Sequence, residues 1–312
     1  MTDERGDTAP DDEAGAGPAR PLRETLPHKE TWRSNDGLEL AATVWPPSSS
    51  RTRKPDVLCL AGLSRNARDF EALAEALSAR GHRVVAMDYR GRGHSGRHPD
   101  WRTYSIEREA ADIDAGLEAL ELSRAVVVGT SRGGLHGMLL AWRAPARVAG
   151  LVLNDIGPAI ERAGLQRLSG AIGRRMAARD WSDATDLLKA SLGGQFPTLD
   201  DAGWRRFAGQ LYSEAAEGLL LDYDARLANT LSEIDEDTET PDFWPVFEAI
   251  GAIPLLAIRG ALSDILSAET FAAMGARHPD ARLHLVADEG HAPLLWDAAT
   301  QEAIAAFASN LR

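Results

Sequence analysis

From residue 57 to residue 287 the chain repeats one pattern, a short and almost wholly apolar run followed by a stretch with apolar residues three and four apart. The short runs, residues 57–61, 84–87, 125–128, 148–153, 255–258 and 283–287, are rich in valine, leucine and isoleucine and predict strands, and the run at 125–128 is of the kind expected for a strand buried on both faces. Helical spacing lies between them. It appears in Phe70, Leu73, Ala74 and Leu77 ahead of Gly81, in Ile113, Leu117 and Leu120, and in Leu135, Met138, Leu139 and Trp142. This alternation predicts an α/β protein with a mostly parallel central sheet and helices on both faces. Upstream, Leu38, Leu40 and Ala42 alternate with other residues after Asp36-Gly37, which predicts an antiparallel hairpin starting near Glu30.

One interval breaks the rhythm. Between Leu153 and Leu255 no strand-like run occurs, and the sequence reads as several helices carrying Trp181, Phe196, Trp204, Phe207, Tyr212, Tyr223, Phe243, Trp244 and Phe247. Residues 157–250 are therefore expected to form a helical lid inserted into a core made of residues 25–156 and 251–312. Most of these aromatics should pack the lid onto the core, with a few left to line a pocket. Residues 1–24, rich in Asp, Glu, Gly, Pro and Ala, read as a disordered acidic tail. Glu233, Asp235, Glu236, Asp237 and Glu239 lack the glycine and oxygen-ligand spacing of a calcium loop and read as a solvated loop.

Composition narrows the function. A formal net charge of −13 with 44% hydrophobic residues argues against nucleic acid or an anionic membrane as a partner. No run of 18 apolar residues spans a membrane, and the N-terminus lacks the apolar core of a secretory signal, so a cytoplasmic location is expected. The single cysteine, Cys59, excludes an intrachain disulfide and a cysteine metal site, and its apolar neighbours suggest a small buried hydrophobe.

Chemistry concentrates at Gly129-Thr130-Ser131-Arg132-Gly133, which follows an apolar run and opens a helical stretch. A serine at the tip of a sharp strand-to-helix turn needs small residues two before and two after, and Gly129 and Gly133 meet that demand. Taken alone, a G-x-S-x-G is only moderately specific. A serine hydroxyl is a weak nucleophile and needs a base, itself oriented by a carboxylate. Of eight histidines, His291 in Gly290-His291-Ala292 lies just past a predicted strand, at the edge where open α/β sheets bind ligands. His28, His98 and His278 read as solvated, His82 and His284 as structural, and His136 as packing on the helix after the serine. Two carboxylates follow parallel strands, Asp264 and Asp155. Asp264 comes after the insertion and before His291, giving the order Ser, Asp, His, and is the preferred acid; Asp155 is held in reserve, its ordinary role being to brace the lid hinge.

Four ordered blocks make the chain resemble the α/β-hydrolase superfamily, in its serine-nucleophile, lid-containing, esterase-like branch, over about residues 30–312. They are Leu60-Ala61-Gly62-Leu63-Ser64-Arg65-Asn66, Asp88-Tyr89-Arg90-Gly91-Arg92-Gly93-His94-Ser95, the Ser131 turn, and Asp264 with Gly290-His291. The first block departs from the usual pattern in carrying Ala61 where a histidine commonly precedes the glycine. The resemblance implies an oxyanion hole formed by the backbone N–H groups of Leu63 and Arg132. The Arg132 side chain would either bring a cation near the site or form a surface ion pair, and Arg65 and Asn66 would contact substrate or stabilise their loop. Gly91-Arg92-Gly93-His94-Ser95-Gly96 spells a dinucleotide fingerprint, but it opens no helix and reads as a tight turn.

These observations point to a serine hydrolase that cleaves a small-molecule carboxylic ester, thioester or lactone through an acyl-enzyme, with no metal or organic cofactor. Carbon–carbon bond hydrolysis, acyl transfer and a non-catalytic ligand-binding role on the same scaffold remain alternatives. Oligomeric state, acyl group and leaving group are not written in the sequence.

Overall fold

A computed structural model describes residues 26–48, 54–173, 177–216, 218–231 and 240–311. The expected tail at residues 1–24 and the acidic cluster at 233–239 lie outside them. The scaffold is an eight-stranded sheet in the order β1-β2-β4-β3-β5-β6-β9-β10. Its strands are β1 (His28–Arg33), β2 (Glu39–Trp45), β3 (Asp56–Leu60), β4 (Val84–Asp88), β5 (Ala125–Thr130), β6 (Val148–Asn154), β9 (Leu255–Gly260) and β10 (Ala281–Val286). β1 and β2 pair antiparallel, as do β2 and β4, while every later pairing is parallel. The sheet is thus the mostly parallel one that the apolar runs predict. All residues of β3, β4, β5 and β6 are buried, which is why those runs read as continuous rather than alternating.

Helices α1 (Glu71–Ala79), α2 (Ile106–Ala119), α3 (Arg132–Arg143), α7 (Trp244–Ala249), α8 (Ala268–Arg277) and α9 (Ala298–Ser309) cover the sheet. Two buried clusters result, one on each face. Leu58, Leu60, Val127, Met138 and Leu153 belong to one; Val57, Cys59, Val126, Val128 and Phe307 belong to the other. The residue-by-residue alternation within β3 and β5 is the two-residue period of a strand sending neighbours to opposite faces.

Between β6 and β9 lies the insertion, built on α4 (Arg162–Ala171), α5 (Trp181–Leu192) and α6 (Asp201–Leu211). Phe196, Trp204, Phe207, Leu188 and Tyr212 give it a small core of its own. The interval is not wholly helical as expected: β7 (Tyr212–Ala215) and β8 (Gly218–Leu221) pair as an antiparallel hairpin. Four-residue strands are too short to show a period. Trp142, counted in the helical stripe of α3, is 54% exposed. The reason is that α3 meets the sheet through glycine instead: a Cβ on Gly137 would lie 2.7 Å from Leu151 Cδ1, so the helix sits too close for its wider apolar face to turn inward. His278, expected in solvent, is buried with its ring 5.5 Å from that of Phe247. Among the described residues no helix is long and apolar enough to cross a membrane.

At the start of α3, backbone meets backbone with no room for a side chain. A Cβ on Gly133 would lie 1.9 Å from the Leu60 carbonyl oxygen, and one on Gly129 would lie 2.4 Å from the Gly133 carbonyl carbon. Both obstacles are backbone and cannot swing aside. Gly133→Ala is therefore predicted to destabilise the protein by about 3 kcal/mol or more, or to prevent folding, whereas Gly194→Ala, with open space at its Cβ, should shift stability by no more than about 0.5 kcal/mol. Urea unfolding of the two variants checks this, and equal midpoints would refute it.

Candidate active site

Ser131 sits between the end of β5 and the first turn of α3, with φ 51° and ψ −117°. This is a sparsely populated conformation for a residue with a side chain, and it persists because the Gly129–Gly133 contact leaves the turn no room to relax. Ser131 N–H donates to the Asn154 carbonyl at 3.0 Å, tying the turn to the neighbouring strand. The side chain is thereby raised above the C-terminal edge of the sheet. His291, from the loop after β10, accepts the Ser131 hydroxyl at Nε2, 2.9 Å away.

The other ring nitrogen of His291 faces Asp155, not Asp264: Nδ1 to Asp155 Oδ2 is 2.8 Å. Asp155 directly follows β6, has φ 55°, and its side chain is fully buried. Its Oδ1 accepts from Gly260 N–H at 2.9 Å, and its Oδ2 also accepts from the Ser263 hydroxyl at 2.6 Å. Three donors on two oxygens leave this carboxylate one orientation. The preference for Asp264 is corrected by this geometry. Asp264 instead holds the guanidinium of Arg167 on α4 through both carboxylate oxygens. Burial alone would raise its pKa, but Arg167 outweighs this and pulls it below the usual carboxylate value. Helix α4 is seated so close that a Cβ on Gly164 would lie 2.3 Å from the Asp264 carbonyl oxygen. The lid thus claims the carboxylate that a position after the insertion favours.

Other expected contacts resolve as follows. Arg65 faces the cavity, but its guanidinium is held by Asp69 at 2.8 and 2.6 Å and stacks over Phe207 at 4.7 Å. Asn66 is 2% exposed; its Oδ1 accepts from Arg68 N–H and its Nδ2 donates to the Gln210 carbonyl, so it caps a short helix and does not reach the cavity. The Arg132 side chain forms an ion pair, but a largely buried one rather than one at the surface. It turns inward, donating from Nε to Glu109 Oε2 at 2.6 Å. His136 also bonds Glu109, at 3.0 Å, and does not approach the serine hydroxyl's partner His291 by any hydrogen bond among the described residues.

Two residues that sequence reasoning passed over hold the site together. Asn154 donates from Nδ2 to Thr130 Oγ1 at 3.0 Å and to the Pro293 carbonyl at 2.9 Å, joining the nucleophile strand to the histidine loop. Its polar side chain at the end of an apolar run was the available signal. Gln195, in the insertion, accepts from Gly290 N–H at its carbonyl and from His291 N–H at Oε1, both at 2.7 Å. Nothing in its sequence neighbourhood marks it.

The loop after β3 completes the edge. A Cβ on Gly62 would stand 3.8 Å from Ser131 Cβ, and the Gly62 carbonyl accepts from Arg65 N–H at 3.1 Å. A trans peptide plane then turns the Leu63 N–H the opposite way. The Arg132 N–H belongs to the first turn of α3, where an amide has no partner within its helix. Above Ser131 and His291 lies a cavity of about 230 Å³, walled mainly by Leu168, Ile172, Leu188, Leu192, Phe196, Phe207 and Leu221.

A serine, an imidazole and a fixed buried carboxylate in one hydrogen-bonded line form the arrangement that nucleophilic acyl transfer uses, and its setting here is that of a serine hydrolase on an α/β sheet. The chain belongs to the alpha/beta hydrolase fold family, whose model it matches over residues 55–298, within the esterase-like branch. It is 32% identical over 250 residues to the 3-hydroxybutyrate-oligomer hydrolase of Cupriavidus necator, covering 78% of this chain and 84% of that one. It is 28% identical over 238 residues to the 2-(acetamidomethylene)succinate hydrolase of Mesorhizobium japonicum, covering 76% and 81%. Among solved structures, an alpha/beta hydrolase from Novosphingobium aromaticivorans superposes with a TM-score of 0.85 and 38% identity, covering 91% of this chain and 98% of that one.

The two carboxylates make a direct test. Asp155→Asn should lower kcat by about 10³- to 10⁴-fold, since an amide favours the wrong histidine tautomer, whereas Asp264→Asn should lower it by less than about 10-fold. Steady-state kinetics on a p-nitrophenyl ester measure both, and the reverse ranking would return the role to Asp264.

Proposed function

We propose that the chain hydrolyses carboxylic esters of short aliphatic acids through an acyl-enzyme on Ser131, beneath a lid formed by residues 157–250. The observation that carries this reading is the line Ser131 Oγ, His291 Nε2, His291 Nδ1, Asp155 Oδ2, with separations of 2.9 and 2.8 Å, opening into an apolar cavity. As Ser131 Oγ bonds to the ester carbonyl carbon, its proton passes to His291 Nε2, and Asp155 stabilises the imidazolium. The carbonyl oxygen becomes an oxyanion held by the N–H groups of Leu63 and Arg132. Collapse breaks the carbon–oxygen bond to the alcohol, which leaves with the proton from His291. Water, deprotonated by His291, then attacks the acyl carbon and releases the acid and Ser131.

Cavity size and lining support the substrate class. About 230 Å³ falls below the roughly 300 Å³ at which ligand pockets for larger molecules begin, which favours short acyl chains. The Cupriavidus relative is named for hydrolysis of 3-hydroxybutyrate oligomers, an ester of a short aliphatic hydroxy acid, and covers most of this chain. No step requires a metal or an organic cofactor.

Assay of p-nitrophenyl acetate, butyrate and palmitate, with the 3-hydroxybutyrate dimer beside them, tests this reading. The acetate, the butyrate and the dimer should be turned over and the palmitate should not, and Ser131→Ala should abolish turnover, a loss of about 10³-fold or more. Undiminished turnover by Ser131→Ala, or preference for the palmitate, would overturn it.

A further inference from the structure

Beneath the oxyanion loop and the start of α3 lies a buried cluster of charges that the acyl-transfer steps do not use. Arg92, in the turn after β4, has a fully buried side chain. Its Nε donates to the Leu63 carbonyl at 2.8 Å and its Nη1 to the Arg90 carbonyl at 2.6 Å. Nη1 also lies 2.7 Å from Glu109 Oε1, an ion contact off the hydrogen-bonding direction. Glu109, on α2, is itself fully buried, and its other oxygen accepts a hydrogen bond from Arg132 Nε at 2.6 Å. Arg132 Nη2 reaches the Tyr104 carbonyl at 3.2 Å. The guanidinium of Arg92 is also sandwiched, 5.4 Å from the Tyr89 ring and 5.6 Å from the Tyr104 ring.

Stability is a poor explanation for such a cluster, because desolvating several charges costs about as much as their attraction returns, and apolar side chains of similar volume would do as well. Its geometry suggests another. One end grips Leu63 and the other grips Arg132, the two residues whose amides meet the oxyanion in the reading above, on which this inference rests. We propose that Arg92, Glu109 and Arg132 form a positioning network that fixes the spacing of the two oxyanion amides and places a net positive charge behind them. Arg92 and Arg132 supply two cations against one anion. Burial alone would raise the Glu109 carboxyl, but Arg132 and Arg92 outweigh it and hold it well below the usual carboxylate range, so it stays ionised. His136, the remaining partner of Glu109, is pushed down by burial and adds no charge at neutral pH. An oxyanion exists in the transition state and not in the bound ester, so the network acts on kcat rather than on substrate affinity.

Two variants test this without stranding a buried charge, since removing either arginine leaves the other paired with Glu109: Arg92→Met and Arg132→Met. Each is measured with a short-chain ester, with a trifluoromethyl ketone of matching shape, which binds as a tetrahedral oxyanion on the serine, and with the corresponding methyl ketone. In each folded variant kcat should fall by roughly 10- to 100-fold with KM changed by less than about 2-fold, and trifluoromethyl ketone affinity should weaken by the same factor as kcat. Methyl ketone affinity should not move, and Arg92→Lys, which keeps a donor for the Leu63 carbonyl, should recover part of the loss. Full trifluoromethyl ketone affinity in either folded variant would overturn the inference, whatever happens to kcat. A wild-type protein that binds the trifluoromethyl ketone no more tightly than the methyl ketone would instead overturn the oxyanion-hole reading beneath it.

Discussion

The close approach of α3 to the ends of β3 and β5 is the constraint from which the site follows. Gly133 meets the Leu60 carbonyl and Gly129 meets Gly133 with no space for a methyl group. That contact forces the chain to reverse from strand to helix within one residue, and the residue is Ser131, at φ 51°. The strain serves a purpose. It lifts a hydroxyl clear of the sheet edge and sets beside it the Arg132 amide, which has no partner within its helix.

Each remaining part of the site follows the C-terminal end of another strand of the same sheet. β3 delivers Leu63, β6 delivers Asp155 and β10 delivers His291, and the order β3-β5-β6-β9-β10 places these strand ends along one edge. Parallel pairing makes this possible, because it sends every C-terminus to the same side. Cross-links then remove the slack: Asn154 ties Thr130 to Pro293, and Gln195 ties the histidine loop to the insertion. Since Gln195 binds both Gly290 N–H and His291 N–H, the insertion braces the imidazole as well as walling the cavity. A Cβ on Gly290 would lie 1.9 Å from Gln195 Oε1, so this brace depends on glycine there.

Charge is sorted by partner in the same compact region. Asp155 meets hydrogen-bond donors and an imidazole; Asp264 meets a guanidinium; Glu109 meets two guanidinium groups and a second imidazole. Only the first is free of a permanent counter-cation. A carboxylate already neutralised by arginine has less to offer an imidazolium formed during reaction, which is a physical reason for Asp155 rather than Asp264 to face His291.

Sequence by itself determined the strands, most of the sheet-facing helices, the turn at Ser131 and the loop of His291. These are local consequences of apolar period and of glycine, and local patterns are legible one segment at a time. It left two carboxylates for one imidazole, because Asp155 and Asp264 both follow parallel strands and both satisfy the chain order. Only the tertiary structure decided between them, through Arg167 and the seat of α4 against Asp264, contacts made across about a hundred residues of chain. The hairpin β7–β8 escaped because its four-residue strands are too short to show a period; two side-chain contacts, the inward turn of Arg132 and the grip of Gln195, escaped for the same reason as the choice of acid. Each is settled by a partner distant in sequence, and a side chain's partner is a property of the packed fold.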